Sequence, residues 1–579
     1  MLSWFVPFTS LGRKALPNHY DFFAFALIFA GFIAIERVSH GLRLPIAAPE
    51  STVISLDYGL LPYFALRTTL RMFAAIALSL LFTLVYATLA AKSRRLGLVL
   101  IPILDVLQSV PILGFLSFTV TFFLGLFPGS ILGAECAAVF AIFTSQAWNM
   151  AFSFYQSLRG LPRDLVEVAR GFGLSWWQRF WQLETPFAMP ALLWNMMMSM
   201  SGGWFFVVAS EAISVGDTTI KLPGIGSYLA LAIEERRIDA VFASILAMLL
   251  VIIAYDQLLF RPLVAFASRF RVELSAGQAQ ENSIVGQVFA RTHWIRHLLR
   301  GPAELLNALA FLRLEPKVPS LVLSKRKMPA LSRFLDVVWI AIVLATMLWA
   351  GWVVINYVRQ ELALGDVLQC VLYTLFTMIR VVLLLVLATL VWVPVGVWIG
   401  LRPALAEKVQ PLAQFLAAFP ANVVFPIAVV AIVNFSLNPD IWLSFLIIFG
   451  TQWYILFNVI AGATAFPNDL KEAVSNFRIR GWSWWANVMI PAIFPYYVTG
   501  ALTASGGSWN ASIVAEYVRW GNETVSAHGI GAYIAEATAA GDYPRIVLGV
   551  AMMSLFVIMF NRLLWRPLYA MAERRLRLD

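Results

Sequence analysis

Among the ionisable residues in or beside long apolar stretches are two arginines and two glutamates. Arg71 and Arg380 fall near the starts of two of these stretches, and Glu211 and Glu516 near the ends of two others. A charge inside a membrane span is costly, so each marks a function or a partner. The acids can gate the outer mouth of a pathway, or pair with an arginine or a helix end. The arginines can answer those acids, attract an anion, or snorkel to the headgroups. Trp204 and Trp509, close after Gly202 and Gly507, lie within apolar runs. Small residues there let helices approach, and the tryptophans could alternatively line a constriction. His293 and His297 have the i,i+4 spacing that puts two imidazoles on one helix face, but no acidic or cysteine ligand accompanies them in sequence. An interfacial helix is expected there and no metal. Cys136 and Cys370 both sit in apolar stretches, which excludes a disulfide framework and a cysteine metal site. The five histidines are scattered, and no cluster at one depth supports a membrane-embedded enzyme. No Gly-Lys pair occurs, so the phosphate-cradling loop Gly-x-x-x-x-Gly-Lys-Ser/Thr is absent and any ATP hydrolysis through that loop belongs to another polypeptide. No cofactor is expected.

The elements that must hold these residues follow from composition. Of 579 residues, 60% are hydrophobic and 13% charged, against roughly 45–50% and about 25% in soluble domains. That excludes both an ordinary soluble domain and a disordered chain. The 28 prolines and 35 glycines, dispersed through apolar runs, fit an all-α polytopic membrane protein. Runs long enough to cross, about 20 residues each, lie near 21–38, 70–91, 98–126, 132–153, 187–214 and 239–260. They resume near 335–356, 373–400, 410–433, 441–463, 492–515 and 544–565. Twelve spans are predicted. Pro102, Pro111 and Pro128 punctuate the third run and predict that it is broken or tilted. With both termini cytoplasmic, most Lys and Arg fall on the inner side, including Lys92, Arg94, Arg95, Lys325, Arg326, Lys327, Arg574, Arg575 and Arg577. This is the positive-inside signature. It accounts for the net charge of +10 without nucleic acid as a partner. Met1 to Pro17 is amphipathic, lacks a small-residue cleavage site, and is expected on the inner membrane face.

The two halves are copies of one unit. At a constant offset of 305 residues, Pro162 matches Pro467, Asp164 matches Asp469, Glu167 matches Glu472, and Trp177 matches Trp482. Trp204 matches Trp509, Glu211 matches Glu516, and Gly224-Ile225-Gly226 falls on Gly529-Ile530-Gly531. From Pro162 to Arg269 there are 30 identities in 108 positions without a gap. Six spans per half is an even number, so the repeats run parallel, related by an axis along the membrane normal. The expected division is a first transmembrane domain over 1–274, a basic cytoplasmic linker over 275–332, and a second transmembrane domain over 333–579.

Between the fourth and fifth spans of each half lies a polar segment, Leu161 to Pro186 and Phe466 to Pro491. Proline followed two residues later by aspartate is a helix-start signal. A short helix, a turn and a second helix are predicted in each copy. Projecting twice from the cytoplasmic side, they suit docking of a dimeric soluble partner.

These segments resemble the coupling-loop motif of ABC importer permeases, which runs Glu-x-Ala, a Gly four residues on, and a Pro 19 residues after the Glu. Glu167, Ala169, Gly173 and Pro186 fit it position by position. The second copy keeps Glu472, Ala473 and Pro491, but Arg478 stands where the motif has Gly, with Gly481 three residues later. The stretches Ser508–Glu516 and Gly529–Tyr533 resemble the nitrate/sulfonate/taurine branch. The resemblance implies a fused type I importer permease in a bacterial inner membrane. It implies two copies of a separate ATPase subunit, an extracytoplasmic solute-binding protein, surrounding lipid, and a small anionic solute. A twelve-span secondary carrier with parallel repeats is the alternative, and it leaves the duplicated loops unexplained.

Overall fold

The structure is a computed structural model that describes residues 54–109, 111–215, 218–263, 300–313, 329–521 and 523–575. The expected first span near 21–38, the segment Met1 to Pro17, the pair His293 and His297, and much of the linker lie outside the described residues.

In the first half, a long helix α1 (Leu61–Lys92) is followed by two shorter ones, α2 (Arg94–Ser109) and α3 (Ile112–Leu126), and then by α4 (Ile131–Arg159). A short α5 (Arg163–Gly171) leads into α6 (Trp176–Glu211). A two-stranded antiparallel hairpin, β1 (Ala212–Val215) and β2 (Thr218–Lys221), comes next, with Ala212 opposite Lys221. Helices α7 (Ile225–Glu234) and α8 (Ile238–Leu263) close the half. From the linker, α9 (Arg300–Phe311) is described. The second half opens with α10 (Pro329–Glu361) and repeats the series: α11 (Leu364–Gly400), α12 (Pro403–Ala418), α13 (Phe425–Asn434), α14 (Pro439–Phe449), α15 (Gln452–Thr464), α16 (Asn468–Asn476) and α17 (Gly481–Ala515). The hairpin β3 (Tyr517–Trp520) and β4 (Glu523–Ser526) precedes α18 (Ile530–Ala540) and α19 (Tyr543–Ala572). The repeat persists in fine detail. Single π-helical turns at Phe180–Glu184 and Asp256–Phe260 recur at Trp485–Met489 and Asn561–Trp565, each 305 residues on.

Eight helices among the described residues are long and apolar enough to cross a membrane, or nine if the bent pair α14 and α15, meeting at 41°, counts as one span. Twelve were expected, one of them, near 21–38, outside the described residues, and two of the other runs are broken for physical reasons. The run near 98–126 is broken, with Pro102 inside α2 and Pro111 as the cap of α3. The run near 410–433 was expected to be continuous, but it stops at Ala418 because Phe419 and Pro420 are extended, and α13 restarts at Phe425-Pro426. At 1.5 Å per residue, α3 and α13 reach only about 22 and 15 Å, short of the roughly 30 Å hydrocarbon core. The two hairpins were not foreseen either, being four-residue strands inside polar interruptions.

The core of each half is a three-helix pack, α1 with α4 and α6, and α11 with α15 and α17. Ala134, Ala137, Ala138 and Ala141 are buried along α4, the small-residue stripe that close helix approach in lipid needs. The halves interlock through the broken pairs. Helix α3 packs on α17, α18 and α19 of the other half, while α12 and the turn Ala421–Val423 pack on α6. At the breaks, the backbone N–H of Ile112 donates to Asn510 Oδ1 at 2.8 Å, and Asn422 Nδ2 donates to the Phe205 carbonyl at 3.1 Å.

Candidate functional site

In the first half, a buried charge network ties three helices together. Arg71, one turn from Arg67 on α1, gives Nη1 to Glu211 Oε1 at 2.7 Å. Its Nε and Nη2 hold Glu135 of α4 at 2.5 and 2.7 Å, and Arg67 Nη2 adds 2.8 Å to the same carboxylate. Two cations thus meet two anions away from water, which is the pairing buried charges require. Thr68 Oγ1 donates to Glu211 Oε1 at 2.7 Å and accepts from the Ile225 N–H at 3.0 Å. Glu211 Oε2 accepts the Gly226 N–H at 2.7 Å. This explains both glycines of Gly224-Ile225-Gly226. A Cβ on Gly224 would stand 2.3 Å from the Glu211 carboxylate, and one on Gly226 would stand 2.3 Å from the Val208 carbonyl oxygen.

The second half repeats the device with fewer charges. Thr377 Oγ1 and Arg380 Nη1 donate to Glu516 Oε1 at 2.7 and 3.1 Å, Gly531 N–H donates to Glu516 Oε2 at 2.8 Å, and Ile530 N–H donates to Thr377. Arg380 Nη2 reaches Asp440 at 2.8 Å. Phe376 stands in the place of Arg67, four residues before the arginine, and His528 lies against Asp440 through its backbone N–H and Nδ1. Glu211, Glu516, Arg71 and Arg380 are therefore all engaged in ion pairs.

Sequence reasoning missed the partners Glu135, Asp440, Thr68 and Thr377. The signals were present. Glu135 and Asp440 stand 305 residues apart, and Thr-x-x-Arg occurs on both α1 and α11. Trp204 and Trp509 are almost fully buried, Trp204 edge-on to Tyr255 of its own half at 5.5 Å. Gly202 borders open space, whereas neighbouring Gly203 meets Gln146; in the second half Gly507 meets Thr451 and Gly506 borders open space. Across the seam, the Ser201 and Tyr454 hydroxyls are 2.7 Å apart, and Trp194 stacks on Phe457.

The two polar segments, Leu161 to Pro186 and Phe466 to Pro491, form two helical hairpins. Glu167 is exposed on α5, Ala169 is buried, and Gly173 turns the chain with φ +65°. The Gly173 and Leu174 N–H groups donate to Arg170 and Ala169 carbonyls, a helix end that needs a left-handed residue. In the second copy Arg478 takes that conformation itself, φ +52°, and the Arg478 and Ile479 N–H groups repeat the bonds to Ser475 and Val474. The turn keeps its shape without the glycine, and Gly481, φ +63°, opens α17. Glu472 is exposed on α16, and Ala473 lies one position before Val474, the counterpart of Ala169. Pro186 and Pro491 each follow a π turn at the start of the long part of α6 and α17.

The two halves that carry these hairpins each match one family of known proteins. Residues 83–261, and again 392–578, match the family described as the binding-protein-dependent transport system inner membrane component. The chain belongs to this family. Its transport permeases are non-catalytic membrane subunits. Among curated relatives, it is 31% identical over 176 residues to the bicarbonate transport system permease protein CmpB of Synechococcus elongatus, covering 30% of this chain and 60% of that protein. It is 26% identical over 184 residues to the nitrate import permease protein NrtB of Leptolyngbya laminosa, 32% of this chain and 62% of that protein. With NrtB of Synechocystis the identity is 24% over 175 residues, 30% of this chain and 60% of that protein. The chain thus spans about 60% of the length of these relatives.

Proposed function

We propose that the chain is the complete permease of an ATP-driven importer for a small anion of the bicarbonate, nitrate or sulfonate type. Its two halves, over 1–274 and 333–579, enclose one pathway at their seam. The linker over 275–332 and both termini are cytoplasmic. Two copies of a separate ATPase subunit bind the helical hairpins, and an extracytoplasmic solute-binding protein delivers the solute.

The observation that carries this reading is the helical hairpin occurring once in each half, inside a family match that itself occurs twice. Glu167 and Glu472 orient the hairpins on the ATPase, Gly173 and Arg478 make their turns, and Pro186 and Pro491 pass the motion into α6 and α17. Arg71 with Glu211, and Arg380 with Glu516, hold the outer ends of those helices, while Trp204 and Trp509 back the constriction. Pairing also removes the repulsion that bare glutamates would exert on an anion. The relatives CmpB, a bicarbonate transport permease, and NrtB, a nitrate import permease, favour bicarbonate or nitrate. A secondary carrier gains no support from the family match.

The test is co-purification from native membranes, followed by ATPase assay in lipid. A separate ATPase at two copies per chain, lost on Glu167→Lys with Glu472→Lys, is the expected result. A chain that purifies alone and transports without ATP would overturn the reading.

A further inference from the structure

The linker helix α9 is held by the first cytoplasmic hairpin. Trp177 Nε1 donates to the Leu309 carbonyl at 2.8 Å, and Gln178 Nε2 donates to the Phe311 carbonyl at 2.9 Å. These carbonyls belong to the last turn of α9, where intrahelical donors run out, so side chains of the hairpin cap the helix. Leu305 and Leu309, four residues apart on one face of α9, stay exposed, as do Phe311 and Leu312. Beside the cap, Val168, Phe172 and Trp176 of the hairpin are exposed too. The second hairpin differs. Its Phe477 is as exposed as Phe172, both at 79%, but Trp482, the counterpart of Trp177, is 78% exposed, and Ser483 replaces Gln178.

We propose that α9 is a second docking element for the ATPase subunit on the first half, so that the two ATPase subunits meet unequal surfaces. The inference rests on the reading of the hairpins as ATPase-docking elements. Its occupant follows from continuity, because a protein seated on Val168, Phe172 and Trp176 reaches the apolar face of α9 where Trp177 and Gln178 hold it. A lipid surface fits less well. The charged residues of α9 are Arg300 and Glu304, and helices that lie on anionic membranes carry a basic face.

The test places the photo-cross-linker p-benzoylphenylalanine at position 172, 311 or 477 of the full chain, co-expressed with its ATPase and irradiated in native membranes. The expected result is an ATPase adduct, identified by mass spectrometry, from all three positions. Trp177→Phe combined with Gln178→Ala should lose the adduct at 311 and keep that at 172, while Trp482→Phe should change none. A lipid adduct, or no adduct, at 311 beside an ATPase adduct at 172 would overturn the inference and leave the proposed function standing. An adduct at 311 that survives the double substitution would show that the cap does not place α9. Failure of 172 and 477 to reach an ATPase would remove the proposed function, and this inference with it.

Discussion

Glu211 and Glu516 carry the same bonds in both halves, yet their surroundings differ in charge. Arg71 is buried between two carboxylates, whereas Arg380 shares its second bond with the partly exposed Asp440. Removing one partner of a buried pair leaves an uncompensated charge and costs about 3–5 kcal/mol. Arg71→Met is therefore expected to lower the melting temperature in detergent sharply, and Arg380→Met to lower it less. Equal shifts would count against the charge argument. A second prediction concerns Arg478. A non-glycine residue in the left-handed region costs roughly 1 kcal/mol, so Arg478→Gly should steady the second hairpin, read as slower amide exchange at Ile479. That all four charges are paired is legible only in the structure, because only contact distances distinguish a paired glutamate from a bare one.

At the scale of elements, an ion pair braces the foot of the first hairpin. Buried Glu184, on the π turn of α6, takes Lys92 from the end of α1 at 2.7 Å and Arg179 at 3.0 Å, and Lys92 also lies over the Phe180 ring. Met489 occupies the place of Glu184 in the second half. Glu184→Leu alone should destabilise the protein by stranding Lys92, and Lys92→Met added to it should recover most of the loss, since paired apolar replacements are often near neutral. Thermal unfolding of the single and double variants decides this; no recovery would show that Glu184 acts elsewhere. The hairpins' helices were legible because Pro-x-Asp is a local signal. The break between α12 and α13 was not, because the apolar composition on either side of Pro420 reads as one uninterrupted span.

On the scale of the whole molecule, the β-hairpins join the halves. Strand β3 packs on α7 of the other half and β1 on α18. The Gly521 N–H donates to the Ile233 carbonyl at 2.9 Å, and Arg236 Nη2 meets Glu523 at 3.1 Å. If the halves rock apart during transport, this strap must open. Arg236→Cys with Glu523→Cys, bridged by a short reducible bis-methanethiosulfonate, should stop solute uptake in vesicles and release it on reduction. Uptake that continues with the bridge intact would mean the strap stays closed through the cycle.

Membrane class, duplication and the position of both helical hairpins were determined by the sequence alone, because each rests on local composition, a fixed offset or a short motif. Which half each short helix leans on, which acid answers which arginine, and where the linker helix rests were decided only by tertiary structure. Arg71 finds Glu135 and Glu211 at separations of 64 and 140 residues. No local pattern encodes that meeting; burial selects it by excluding water and leaving each charge only its opposite to pair with.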